Sequence, residues 1–356
     1  MLSVRLRRPA RSTPRATSGG GCSRRAANVR PSISGPRAVR ALWTAAALTA
    51  GCALVTAGPW LARPPSTARG TRRPVAAQHV AGASERPARS AAPYYVAVGA
   101  SESLGYQPTA ADPHGAPSDE GYADDVVDDE QRRWPGLDLV QFGCPGTTAV
   151  EALDGHSRCR YPSGSQIATA VRFLRAHRAR TKLVTVDLGF NDVRLCLEHR
   201  RVDASCAQRA LRRIDRALPR ILGDLRAAAG AGTQIVGLQH DDPYWGVYLH
   251  GGAARRFAET SARVLRRLNA ELAAIYTTSG DLVADVPAAF ATTDTSQVAL
   301  AGHGTVPAAV ARACSLTWMC SAHNLHPDAA GYRLIASAVT AALDTAPLDT
   351  APLAST

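Results

Sequence analysis

YYVAVGASESLGYQP, residues 94–108, decides the fold of this chain. Its first six residues, Tyr94–Gly99, form a short apolar run bounded by a proline and by small residues. Such a run suits a strand buried on both faces. Ser101 follows at once, so a hydroxyl stands just past a strand end. Working outward, the pattern repeats. Leu137–Phe142 (LDLVQF) runs into Gly143-Cys144-Pro145-Gly146, and Lys182–Leu188 (KLVTVDL) into Gly189-Phe190-Asn191-Asp192. Gln234–Leu238 (QIVGL) runs into the 241–245 segment DDPYW, and Asp281–Val286 reads as a fifth strand. Between and after them, Gln166–His177, Ala204–Ala229, Ala253–Ser279 and Pro327–Leu343 carry apolar residues at helical spacing. Strands alternating with helices predict an α/β domain with a parallel sheet covered on both faces. Ligands bind such sheets at the carboxyl ends of the strands, which is where Ser101, Gly143 and Asn191 fall.

The chain's net charge of +12 is unevenly distributed. Residues 1–92 hold sixteen of the 41 basic residues, all arginine, and one of the 29 acidic ones, Glu85. The remainder is therefore slightly acidic, and the basicity belongs to a tail. That tail precedes an uncharged apolar segment, 41–62 (ALWTAAALTAGCALVTAGPWLA). Positive charge ahead of an apolar run is retained on the cytoplasmic side, so export fits better than nucleic-acid binding. The segment reads as a signal peptide or as an uncleaved anchor, since about 20 apolar residues can span a bilayer. Residues 63–93, rich in Pro, Ala, Arg and Ser, read as a disordered linker. The expected organisation is an Arg-rich cytoplasmic tail (1–40), the export segment (41–62), the linker (63–93), one catalytic domain (94–345) and a disordered tail (346–356). The domain is expected outside the cytoplasm, secreted or membrane-anchored, and monomeric.

Six cysteines lie in that domain, in three close pairs without zinc-site spacing. The simplest pairing is Cys144–Cys159, Cys196–Cys206 and Cys314–Cys320, each clamping a loop in an oxidising compartment. The other reading is buried free thiols.

Asn324-Leu325-His326-Pro327-Asp328 opens the last helix, with Pro327 suited to its first position. GASESLGYQP, FGCPG, GFND and NLHPDAAGY, in that order over residues 99–332, resemble the four sequence blocks of the SGNH/GDSL hydrolases, and especially secreted actinobacterial esterases and lipases. The resemblance implies a three-layer α/β/α sandwich, flavodoxin-like, around a mostly parallel five-stranded sheet. It also implies a carboxylic ester hydrolase acting on a small-molecule or lipid ester, with Ser101 as nucleophile and His326 as general base. The backbone N–H groups of Ser101 and Gly143 and the Asn191 amide would form the oxyanion hole. No cofactor or metal is implied. A glycan O-deacetylase, an acyltransferase or a non-catalytic surface binding protein on the same fold are the alternatives.

Two departures stand out. Ala100 replaces the aspartate of the first block, and no aspartate precedes His326 at the usual distance. A backbone carbonyl near Trp318–His323 or the Asn324 amide oxygen would then orient the imidazole, giving a slower enzyme because neither is charged. Ser103 could equally be a capping serine, and DDPYW could line the cleft or form a turn. His240, His250 and His303 lack the spacing of a metal motif. The acidic stretch Asp124–Glu130 reads as solvated surface.

Overall fold

The computed structural model describes residues 92–197 and 200–345. The expected tail, export segment, nearly all of the linker and the 346–356 segment lie outside the described residues. Among the described residues no helix is long and apolar enough to cross a membrane.

The main sheet consists of β1 (Tyr94–Gly99), β2 (Asp138–Gln141), β3 (Thr181–Asp187), β4 (Gln234–Leu238) and β5 (Leu282–Ala284). Every pairing is parallel, in the order β2-β1-β3-β4-β5. The four long predicted helices appear as α3 (Gln166–Ala176), α5 (Ala204–Ala228), α6 (Gly252–Thr278) and α10 (Ala329–Asp344). Shorter ones fill the connections: α1 (Tyr122–Glu130), α2 (Ala149–Asp154), α4 (Phe190–Arg194), α7 (Val286–Ala289), α8 (Ala308–Leu316) and α9 (Met319–Ala322).

The strands explain the layering. Alternate side chains point to opposite faces, so Val96, Val98, Val184, Val186 and Ile235 meet the buried sides of α2, α3, α5 and α6. Tyr95, Ala97, Leu183, Val236 and Leu238 meet those of α1 and α10. Helix α5 shows why the sequence complies. Ala207, Ala210, Leu211, Ile214, Leu218, Ile221, Leu222 and Leu225 recur at three- and four-residue intervals and are buried, each Leu or Ile contributing about 1.5–3 kcal/mol. Asp203 starts the helix by accepting the Cys206 N–H at 2.9 Å, as capping aspartates do. The result is a three-layer α/β/α sandwich. Its chain reverses direction across the sheet between β1 and β3, the position where such folds open a crevice for ligands.

Three details depart from the sequence reading. Asp124–Glu130 lies in α1, whose Tyr122, Ala123, Val126 and Glu130 are buried against the sheet, so only its outer side is solvated. Gln297–Leu300 and Gly304–Pro307 form an antiparallel pair, β6 and β7, not expected from the sequence and resting on α6 and α8. The last helix begins after Pro327. Asp328 is its cap, accepting the Gly331 N–H at 2.9 Å, while Pro327 bridges to Thr317 in an extended segment. The disulfides Cys144–Cys159, Cys196–Cys206 and Cys314–Cys320 are formed.

Candidate active site

Ser101 stands where β1 ends. The Ala100 N–H still reaches the Asp187 carbonyl of β3 at 3.1 Å, and the backbone then turns into a single 3-10 turn, Glu102–Leu104. Its neighbour Ser103 is fully buried, donates to the Ala100 carbonyl at 2.9 Å and receives no access to the cleft. Ser101 is the serine left facing it, on a pocket of about 470 Å³ lined among others by Tyr106, Arg158, Asn191 and Arg194. That volume lies in the range of small-molecule sites. A depression of about 480 Å³ at the opposite ends of β3 and β4, around Lys182 and Gly232, carries neither a nucleophile nor a base.

His326 meets Ser101 from 225 residues away in sequence, Nε2 standing 2.9 Å from the serine Oγ. Two features place it. The Trp318 N–H donates to the His326 carbonyl at 3.0 Å, and the Thr317–Pro327 bridge fixes the strand-like segment beside it. The other ring nitrogen, Nδ1, stands 2.7 Å from Asn324 Oδ1. Asn324 is itself oriented: its Nδ2 donates to the carbonyls of Pro113 and His114 at 3.0 and 3.1 Å. The amide oxygen therefore has to face the imidazole, where it accepts from Nδ1–H and leaves Nε2 as the acceptor for the serine proton. Of the three residues expected to orient His326, Asn324 alone touches the ring. Trp318 contributes backbone hydrogen bonds to His326 and Asn324, with its indole donating to Gln107 at 3.3 Å. His323 turns away into a left-handed conformation, φ 52°, its ring facing His250.

Burial, and secondly the positive charge of Arg194, push the His326 imidazole down to about 4. The ring is therefore neutral throughout the physiological range.

Of the expected oxyanion donors, Asn191 lines the same pocket as Ser101, and Gly143 packs against the turn around Ser101. Gly143 lies just past β2, and the Cys144 N–H donates to the Gly99 carbonyl at 3.1 Å. A Cβ at Gly143 would collide with the Ser103 side chain and stand 2.8 Å from the Ala100 carbonyl, so only glycine allows this close approach. Asn191 sits in α4, entered through Gly189 at φ 119°, and its Oδ1 accepts from Arg194 Nε at 3.1 Å. That bond fixes the amide with Nδ2 toward the pocket. Among the described residues, the N–H groups of Ser101 and Gly143 and the Asn191 Nδ2 donate to no protein acceptor. Asp192 turns inward instead, accepting the Ala149 N–H at 2.9 Å and tying α4 to α2.

Sequence reasoning missed four contributors. Arg194, Pro113 and His114 act through contacts that no linear pattern announces. The fourth is a buried polar cluster behind Ser101, formed by Glu102, Asp187, His240 and Asp241. Burial raises all three carboxyls, and repulsion from Glu102 adds to it at Asp187 and Asp241: Glu102 and Asp187 rise to about 7 and Asp241 well above its ordinary range. The DDPYW segment accordingly has two parts. Asp242 makes a turn, accepting the Tyr244 N–H at 3.1 Å, and Asp241 belongs to the cluster.

Among solved structures, the chain is similar to an extracellular lipase from Streptomyces rimosus, at 18% identity and TM-score 0.43, with 70% of this chain and 100% of that one covered. It is similar to a lipase from a goat rumen metagenome at 15% identity and TM-score 0.41, covering 70% and 97%. It is similar to an acetyl xylan esterase from Geobacillus stearothermophilus at 17% identity and TM-score 0.37, covering 70% and 94%. No curated protein matches the chain. The sequence profile of the GDSL-like Lipase/Acylhydrolase family matches residues 97–334, a span that takes in Ser101, Gly143, Asn191 and His326. The chain belongs to that family and is a carboxylic ester hydrolase of the GDSL type.

Proposed function

We propose that this protein hydrolyses carboxylic esters through an acyl-enzyme on Ser101, with His326 as general base and Asn324 as the residue that orients it. The observation carrying this reading is the continuous relay from Ser101 Oγ through His326 to Asn324, at 2.9 and 2.7 Å. His326 takes the serine proton as Oγ attacks the ester carbonyl, because a hydroxyl is a poor nucleophile until a base removes its proton. The oxyanion of the tetrahedral intermediate is received by the Ser101 and Gly143 N–H groups and the Asn191 amide, donors that are fixed before the reaction begins. The imidazolium returns its proton to the leaving alkoxide, and water repeats the cycle on the acyl group. Asn324 stands where a charged orienting group is absent, as asparagine does in Cys-His-Asn proteases. Its place beside the imidazole supports a catalytic reading over a non-catalytic one.

The substrate is a lipid or short acyl ester. Arg158 and Arg194 both border the pocket, which favours an ester that also carries a carboxylate or phosphate. Three disulfides suit an oxidising compartment, and with the 41–62 segment they support export of the hydrolase domain.

The test uses the full chain and its Ser101→Ala variant, each made under oxidising conditions. Both are treated with a fluorophosphonate probe and assayed on p-nitrophenyl esters of rising chain length. Labelling and turnover lost together in the variant support the reading. Folded wild-type protein that neither labels nor turns over any ester would overturn it.

A further inference from the structure

We propose that Glu102, Asp187 and His240 form a buried binding site for a divalent cation of the zinc type, directly behind the nucleophile. Asp187 ends β3, and Glu102 and His240 follow the ends of the neighbouring strands β1 and β4; the linear sequence hides them because they are 85 and 53 positions apart. The ligand-bearing atoms all lie within 4.8 Å of one another. His240 Nδ1 is 3.6 Å from Asp187 Oδ1 and 3.8 Å from Glu102 Oε2. Both separations are too long for hydrogen bonds. They come close to what one ion imposes, since ligands held about 2.0–2.2 Å from a shared tetrahedral zinc stand roughly 3.3–3.6 Å from each other.

The histidine supplies an independent observation. Its Nε2 approaches the Leu188 carbonyl at 3.4 Å, the carbonyl contact by which metal-bound histidines fix their tautomer. Donation there leaves Nδ1 as a lone pair. That lone pair is buried, has no hydrogen-bond partner and faces two carboxylates. Three lone-pair donors around one point repel one another unless a proton or a cation lies between them, and a cation satisfies all three at once. The supporting contacts follow the same pattern, since Asp187 Oδ2 accepts the Ser103 N–H at 3.1 Å. Behind His240, fully buried Asp241 leaves both carboxylate oxygens unpartnered, adding negative potential. A cavity of about 10 Å³ adjoins Glu102, Asp187 and His240, bounded also by Ser101 and Asn191. It is large enough for a single small occupant.

Two carboxylates and an imidazole suit zinc or manganese better than calcium, which prefers more oxygen ligands. A dication there balances the two carboxylates and clamps the ends of β1, β3 and β4. Glu102 adjoins Ser101 in sequence, so occupancy would stiffen the turn that presents the nucleophile. The three ligands are positioning residues in this view.

The test strips the full chain with EDTA, dialyses it, adds Zn²⁺, and measures bound metal by mass spectrometry alongside thermal unfolding. The expected result is zinc retained through gel filtration and a Tm raised by several degrees, because a ligand that binds only the folded state stabilises it. Glu102→Gln, which keeps the side-chain shape, and His240→Gln should each lower the zinc content by one equivalent and abolish the Tm rise. His303→Gln, on the surface, should change neither. Folded wild-type protein that binds no zinc and shows no Tm shift overturns the proposal. So does zinc that survives both ligand substitutions, which would place it elsewhere on the chain. If a ligand variant folds poorly, Co²⁺ added to the stripped wild-type chain decides. Visible d–d absorption without a thiolate charge-transfer band supports the site, and a thiolate band or no absorption counts against it.

Discussion

The Asn324 side-chain oxygen lies 2.7 Å from His326 Nδ1 and 3.0 Å from the His326 backbone nitrogen. One amide oxygen thus accepts both from the ring and from the main chain of the residue it orients. The other end of the same amide is held by two carbonyls of the loop after β1. Orientation is therefore supplied in full, and only the negative charge of an aspartate is missing.

Asn324→Asp restores that charge. It should raise kcat by about tenfold or more, as charge opposite the imidazolium is worth much in such relays. The same change sets a carboxylate against the Pro113 and His114 carbonyls and removes two hydrogen bonds of about 0.5–1.5 kcal/mol each. A lower Tm should accompany the faster rate. An unchanged or reduced kcat in folded variant protein would show that charge at this position does not limit the reaction.

The pH profile should carry the signature of a depressed base. Burial and then Arg194 hold His326 at about 4, against an ordinary value of about 6.5. The base is lost only when it protonates, so kcat/KM should fall below about pH 4 and be flat from pH 5 to 8. An acid limb centred near pH 6.5 would contradict the burial seen here. In Asn324→Asp the limb should move upward, because a carboxylate favours the imidazolium.

Arg194 acts twice, on Asn191 through a hydrogen bond and on His326 through its charge. Arg194→Met should free the Asn191 amide and lower kcat, within the ~10²–10³ loss seen on removing an oxyanion donor outright. It should also move the acid limb to higher pH. Arg194→Lys keeps the charge and should restore the limb more than it restores kcat. Parallel recovery of both quantities would argue against two separable roles.

Arg158 is exposed at the rim and touches no catalytic group, so its substitution isolates substrate charge. Arg158→Gln should raise KM about three- to tenfold for esters bearing a carboxylate and leave p-nitrophenyl acetate unaffected. The difference should shrink at high salt, as screened surface charges do. Equal effects on both ester types would remove the case for an anionic substrate.

The Cys144–Cys159 bridge closes a 15-residue separation that begins immediately after Gly143. Replacing both cysteines with alanine should cost about 3 kcal/mol by loop-closure entropy, read as a lower denaturation midpoint. Turnover should fall too, since Gly143 loses its anchor. A turnover change without a stability change would mean that the bridge serves the site alone.

Much of this protein is decided locally. Five apolar runs of strand length alternate with helical stretches, and parallel pairing with helices on both faces follows from burial alone. Ser101, Gly143 and Asn191 could be placed at one sheet edge because strand ends and glycine-containing turns are local signals. The last helix shows the limit of such signals: proline at 327 suggested a first helical position, but Asp328 supplies the capping oxygen and Pro327 is drawn into a bridge with Thr317. The tertiary structure alone decided which group orients His326. Three candidates were open in sequence, and the choice depends on the Pro113 and His114 carbonyls, about 210 positions away. The same holds for His240, which lacked any metal-motif spacing and met Glu102 and Asp187 only when β1, β3 and β4 became neighbours. Local sequence sets backbone conformation, whereas hydrogen-bond partners and buried charge depend on which distant segments the sheet order brings together.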